Sequence, residues 1–404
     1  MPLSSTLEKR AAVASLRSAP VKKTRYVAAL DGLRALAVGS VMFAHAGYPL
    51  IRELGWLGVD LFFVLSGFLI TSLLIEERRA TGGIDLARFW GRRLLRLMPT
   101  YWLYILGLSL LMAFGGGWTR EVGGWTPGAY LRSLWFYYSN YAPLGVWEYQ
   151  PLGVHLWSLA VEEQFYVLWP IFMTFIPGGA AATTAAWLIF GAMVSRNLFL
   201  SPFPEYSLDT RGVSIVLGCA VALSLAHWPR LGARLRRRGV VEGAALGCFA
   251  LGVIVSGAKA NHLFGMGGVF RLFLPIFSVG FAVLAASIWE GATGPVVRFL
   301  SWPPLVYLGR ISYGIYLYHL LALHLMAHIP REFHASHPYL SDFVGFLVFT
   351  TTTLALAVLS YRLIETRFLR LKAHLKPRTV DRGEDFHPPR PQGGFLSEGR
   401  LVQG

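Results

Sequence analysis

Apolar residues in this chain come in long blocks, not in alternation with polar ones. Ten blocks, at about 28–48, 56–75, 98–115, 152–176, 180–198, 211–227, 239–257, 267–288, 305–328 and 340–364, approach or exceed the roughly 20 residues a helix needs to cross a hydrocarbon core. A chain in lipid must satisfy its own backbone N–H and C=O groups, and over one continuous segment only a helix does so. The expected fold class is therefore all-α, a polytopic membrane protein with about ten transmembrane helices. Composition agrees: 54% of the 404 residues are hydrophobic, 15% are charged, and mean hydropathy is +0.49.

The formal net charge of +15 raises the question of a nucleic-acid partner, and the position of the charge answers it. Lys9, Arg10, Arg17, Lys22, Lys23 and Arg25 precede the first block, and Arg78, Arg79, Arg88, Arg92, Arg93 and Arg96 separate the second from the third. Arg230, Arg234, Arg236, Arg237 and Arg238 follow the sixth, and Arg362, Arg367, Arg370, Lys372 and Lys376 close the tenth. The alternate connections carry few positive charges, so the positive-inside rule puts both termini in the cytoplasm and no nucleic acid is required. Asp31 and Arg34 interrupt the first block, which reads as a retained helix and not as a cleaved leader. Three regions follow: a basic N-terminal segment (1–25), one transmembrane domain (26–370) and a Pro- and Gly-rich tail (371–404) that cannot bury a core. Residues 116–151 are dense in Trp and Tyr, which suits an interfacial belt or a sugar-stacking surface.

An ionisable residue inside a membrane helix costs about 2.5–3.5 kcal/mol on insertion scales, so each one calls for an explanation. Arg34 and His45 are eleven apart, about three helical turns, and share a face with roughly 16 Å between them. Asp31 lies one turn below Arg34. His45 is suited to take a proton from a hydroxyl, while the bland alternative is a snorkelling Arg and an interfacial His. The fourth block opens with His155 and Ser158 and continues to Glu162, Glu163 and Tyr166; it reads either as an acid/base group or as a structural hydrogen-bonding network. Asp60 and Ser66 in the second block and Arg310 and His319 in the ninth leave the same choice open. Arg93 and Arg96, three apart, suit a phosphate group or simple anchoring. The loose spacing of His324, His328, His334 and His337 gives no metal site.

Together these segments resemble the acyltransferase-3 family of bacterial membrane O-acyltransferases over about residues 26–365. The stretches that carry the resemblance are Leu30-Asp31-Gly32-Leu33-Arg34-Ala35 with His45, Gly58 to Phe68, Arg93-Leu94-Leu95-Arg96, Trp157 to Tyr166, and Gly309 to His319. The resemblance implies a multi-pass protein of the bacterial cytoplasmic (inner) membrane. It implies transfer of an acyl group, commonly acetyl, from acyl-CoA as co-substrate to a hydroxyl of a carbohydrate or glycolipid acceptor, with no bound cofactor. It also implies essential Arg34 and His45, with Arg93 and Arg96 on the donor side; Glu162 or Glu163 is expected beside His45. Some relatives carry an appended hydrolase-like domain, for which no room is expected here. A transporter or flippase of a lipid-linked sugar is the rival class, although no interrupted, inverted-repeat helices are evident.

Overall fold

The computed structural model describes residues 26–46, 55–114, 122–142, 146, 151–176, 179–199, 206–260, 266–326, 338–372 and 375. Residues 1–25, most of the tail, and Trp118, Trp147, Tyr149, His328, His334 and His337 lie outside them. The described residues are almost wholly helical, with an isolated bridge between Val122 and Trp125 and no strand.

The helices are, in order, α1 (Ala28–His45), α2 (Leu57–Thr81), α3 (Leu86–Phe114), α4 (Pro127–Trp135), α5 (Leu156–Phe175), α6 (Ala180–Phe199), α7 (Leu208–Arg211) and α8 (Val213–His227). Then come α9 (Pro229–Leu235), α10 (Val240–Ala260), α11 (Met266–Glu290), α12 (Pro295–Leu300), α13 (Pro303–Arg310), α14 (Ser312–Met326), α15 (Pro338–Ser360) and α16 (Thr366–Lys372). Within the described residues, each of the ten apolar blocks contains helix. Among the described residues, four helical stretches, Leu57–Thr81, Leu86–Phe114, Phe273–Glu290 and Val344–Leu371, are long and apolar enough to cross a membrane. The pair α8 and α9, bent by 111°, makes a fifth if it counts as one span.

Two boundaries differ from the sequence expectation. Helix α3 begins at Leu86, a dozen residues before the third block, because Arg88, Arg92, Arg93 and Arg96 occupy its first turns and Arg is a good helix former. The ninth block is broken at Ile311 into α13 and α14. Gly309, at the end of α13, lies against the backbone of α1: a Cβ there would be 1.8 Å from the carbonyl oxygen of Asp31. This contact fixes the depth of Asp31 and Arg34 relative to α14.

Helices α1 and α2 form the seam between two apolar clusters. One contains Phe63, Tyr101, Trp157, Trp169 and Leu317, the other Leu30, Leu61, Val64, Phe277 and Ala285. Helix α2 crosses α8 at glycines on both sides. A Cβ on Gly67 would lie 1.9 Å from the carbonyl oxygen of Ile215, and one on Gly218 would lie 2.3 Å from that of Val64. Small residues at such a crossing let two backbones pack closely where water supplies no driving force. Gly67→Ala is therefore expected to destabilise by at least the roughly 1–3 kcal/mol typical of overpacking. Gly107→Ala, which has open space around it, should not. Thermal unfolding of the two variants in one detergent checks this.

Candidate active site

The polar residues of α1, α2, α3, α5 and α14 gather in two adjoining places. The first is a cavity of about 90 Å³ lined by Arg34, Ser66, Arg93, Arg96, Ser158, Glu162, Tyr166, Tyr313 and Tyr316, with Val59, Phe62, Phe63, Leu97, Leu159 and Ser312. Three guanidinium groups face one carboxylate, so its lining is cationic. Glu162 accepts from Ser66 Oγ at 2.5 Å, and Tyr166 Oη lies 3.2 Å from the same Oγ. Arg93 stands over the Tyr166 ring at 4.9 Å, and Trp90 Nε1 donates to the Tyr166 carbonyl at 3.0 Å. Glu162 is the acid that acts on Arg34 and Arg93. Glu163 is within electrostatic reach of Arg93 as well, and also of Tyr101, Tyr137 and Tyr313.

Arg34 is held from below. Its Nη1 lies 3.2 Å from Asp31 Oδ1, while Asp31 Oδ2 accepts from Tyr26 Oη at 2.8 Å. Arg310 reaches the same group, with Nη2 donating to Tyr26 Oη at 2.9 Å and Nε 3.8 Å from Asp31 Oδ2. The i, i+3 spacing on α1 thus becomes an ion pair, and Arg310 is brought to it by the α13 turn.

The second place is a cluster of three imidazoles. His45, the last residue of α1, packs edge-on to His319 of α14 at 4.9 Å between ring centroids, and His319 to His155 at 5.0 Å. His155 and His319 are buried; His45 is exposed. Neighbouring rings come from Tyr104 (5.9 Å from His155) and Tyr316 (5.5 Å from both His155 and His319). The acid of α5 lies elsewhere: Glu162 is seven residues beyond His155, about 10 Å along the axis, beside Arg34 and Ser66. Only a thin partition separates cavity and cluster. Tyr316 Oη lies 2.5 Å from Ser158 Oγ, and both are 3.0 Å from the His155 carbonyl oxygen.

Asp60 belongs to neither place. It is fully buried and accepts from Arg211 Nη2 at 2.9 Å and from Ser214 Oγ at 3.0 Å. Arg211 lies over the rings of Trp56 and Trp157, at 5.7 and 5.4 Å. Sequence reasoning passed over Arg211, although a basic residue opening an apolar block signals a buried partner, and Asp60 was the acid without one. It also passed over Tyr316, which no charge marks, and Gln164. Gln164 Nε2 donates to the carbonyl of Tyr137 at 2.7 Å, holding that residue at φ 56° with its ring stacked on Tyr101 at 4.4 Å. In the aromatic segment, Tyr137 and Tyr138 are half-buried, whereas Phe136 and Tyr141 are exposed.

With this geometry in place, the comparisons are specific. The chain belongs to the acyltransferase-3 family, whose Acyltransferase domain model matches residues 27–362; the family is one of acyl-transferring enzymes. O-acetyltransferase OatA of Staphylococcus aureus (strain NCTC 8325 / PS 47) is 30% identical over 364 residues, covering 85% of this chain and 57% of that protein. Putative peptidoglycan O-acetyltransferase YrhL of Bacillus subtilis (strain 168) is 33% identical over 316 residues, covering 73% and 48%. The chain thus spans about half the length of these curated relatives. No solved structure matches.

Removing one partner of a buried ion pair leaves the other uncompensated, at a cost of about 3–5 kcal/mol. Asp60→Ala is expected to lose stability on that scale, and Asp60→Leu combined with Arg211→Met to recover most of it. Unfolding midpoints of the single and double variants give the comparison.

Proposed function

We propose that the chain is a multi-pass enzyme of the bacterial cytoplasmic membrane, with ten spans and both termini inside, that moves an acetyl group from acetyl-CoA to a hydroxyl of a cell-surface carbohydrate. Peptidoglycan, the substrate in the name of one relative, is the acceptor of first choice. The observation that carries this reading is a cationic cavity with three guanidinium groups, divided by one Ser–Tyr contact from a cluster of three imidazoles. An anionic donor and a hydroxyl acceptor need those two environments, set side by side.

Arg93 and Arg96 hold the phosphates of the donor through charge-assisted hydrogen bonds, entering from the side on which the basic residues concentrate. Arg34, fixed by Asp31, which Tyr26 and Arg310 hold in turn, lines the route inward, and Glu162 balances part of the charge. His45 Nδ1 lies 2.9 Å from the Val41 carbonyl oxygen, which can only accept, so Nδ1 carries the proton and Nε2 is the free base. His45 Nε2 takes the proton of the acceptor hydroxyl; the oxygen attacks the thioester carbonyl, the C–S bond breaks, and the proton leaves with the thiolate as CoA–SH. Acylation of the ring itself before transfer to the hydroxyl uses the same nitrogen.

Mass spectrometry of cell-wall glycan from a deletion strain, restored with wild-type or His45→Ala protein, tests the reading. Acetylated glycan should return with wild type and fall by about 10²–10⁴-fold in rate with His45→Ala, the usual share of a general base. Unchanged acetylation with His45→Ala, or movement of a sugar carrier without acetyl transfer, refutes it. In purified protein, Arg93→Gln and Arg96→Gln should each raise KM for acetyl-CoA by on the order of tenfold, the loss of one charge-assisted bond. An unchanged KM would remove both arginines from the donor site.

A further inference from the structure

The basic residues between helices are of two kinds. An arginine near a helix end can donate to the orphan carbonyls of the last turn or pair with an acid. Arg78 donates to the Ile176 carbonyl at 3.1 Å, just past the end of α5, and Arg79 to that of Ala226 at 2.9 Å, in the last turn of α8. Arg88 and Arg92 pair with Asp85 and Glu77, each at 3.2 Å. Between residues 230 and 238 the chain carries five more, Arg230, Arg234, Arg236, Arg237 and Arg238, all of them exposed. Among the described residues none of these five makes an ion pair or donates a side-chain hydrogen bond. The acids of the adjoining helices, Glu290 and Glu242, lie against Gly232 and Gly294 instead. The fold therefore leaves a concentrated positive charge unbalanced at this one corner.

The backbone gives the corner its shape. After His227 the chain turns by 111° into α9, whose first residue, Pro229, suits a helix start. A helix leaving a membrane span at that angle runs close to the membrane plane. Helix α9 is also two-sided. Gly232 is buried and Leu235 packs with Phe68 of α2 and Ala286 of α11, whereas Arg230, Ala233 and Arg234 face outward. Trp228, at the bend, is exposed, as are Phe299 and Trp302 beside α12, which packs on α10. Indole rings favour the headgroup level of a bilayer, and forked guanidinium groups match phosphate oxygens. Clustered basic residues directly after a membrane helix attract anionic lipid. We propose that the α8–α9 corner binds the phosphate headgroups of anionic lipid in the cytoplasmic leaflet, through Arg230 and Arg234 of α9 and Arg236, Arg237 and Arg238 after it. The inference rests on the membrane orientation given above and is independent of the acyl-transfer chemistry. Through Leu235, lipid held at the corner steadies the packing of α2, α8 and α11.

Full-length protein in nanodiscs of mixed phosphatidylglycerol and phosphatidylcholine supplies the test, with retained lipid counted by native mass spectrometry and unfolding midpoints measured beside it. Wild type should retain phosphatidylglycerol preferentially and unfold at a higher temperature when it is present. Arg230→Gln combined with Arg234→Gln should lower that preference by about 25-fold, roughly fivefold for each arginine near the surface. Arg367→Gln combined with Arg370→Gln removes the same charge from exposed positions of α16 and should change it less than twofold. Equal losses in the two pairs, or a wild type indifferent to phosphatidylglycerol, overturn the proposal. So does a midpoint raised as much by inorganic phosphate in phosphatidylcholine alone, which means a free anion and not a lipid. Should the α9 pair not fold, wild type decides: its preference must fall steeply between about 0.1 and 1 M salt, as the screening length drops from about 10 to 3 Å. A preference indifferent to salt refutes it. Labelling of Arg238→Cys by an impermeant maleimide in intact cells would overturn the orientation, and with it the cytoplasmic leaflet, without touching the acyl-transfer reading.

Discussion

An ion among apolar helices is tolerated only when an opposite charge or several hydrogen bonds are held against it, and this requirement organises the core. Asp60 is matched by Arg211 and Ser214 across two helices, Glu77 by Arg92 at 3.2 Å, and Asp31 by Arg34, Tyr26 and Arg310. Each set joins segments distant in sequence or fixes the rotamer of a long side chain. Charge matching therefore positions the helices as well as neutralising them. The cavity between α1, α2, α3, α5 and α14 departs from the pattern: with Arg34 paired to Asp31, the further two arginines of its lining, Arg93 and Arg96, meet one glutamate, Glu162. Under the proposed function, the anionic donor is the group that balances this surplus.

Close packing makes these pairings possible. The glycine crossing of α2 and α8 places Asp60 within reach of Arg211 and Ser214, and Gly309 against the Asp31 backbone sets α13 low enough for Arg310 to join the Arg34 group. Tyr316 then divides the interior. Its hydroxyl closes the cavity against Ser158, while its carbonyl holds His319 on the other side. One residue thus belongs to both environments, which ties the geometry of the cationic chamber to that of the imidazoles.

The long apolar blocks made the helical architecture legible in the sequence, since length and hydropathy are local properties. Helix ends were less so. The arginines of α3 look like a loop until the helix is seen to carry them along one side, and the break at Ile311 falls beside a contact of Gly309 with α1 that no local pattern encodes. For the candidate site, the spacing of Asp31, Arg34 and His45 on one helix gave their shared face, because a single helix has known geometry. Which residues of other helices would face them was not readable from spacing. Glu162 follows Arg34, whereas His155 and His319 are the rings at His45. Arg211 and Tyr316 escaped attention because the importance of each lies in a partner from a distant segment.

The acceptors that fix the hydrogens of the three histidines are main-chain carbonyls of Val41, Leu317 and Tyr316. At Val41 and Leu317 the side chain plays no part in that role, so any residue that keeps the helix intact preserves the tautomer. The electronic state of the cluster is thereby insulated from sequence drift at those positions and exposed to helix geometry instead. A small axial slide of α14 against α5 would alter a protonation pattern without changing a single side chain.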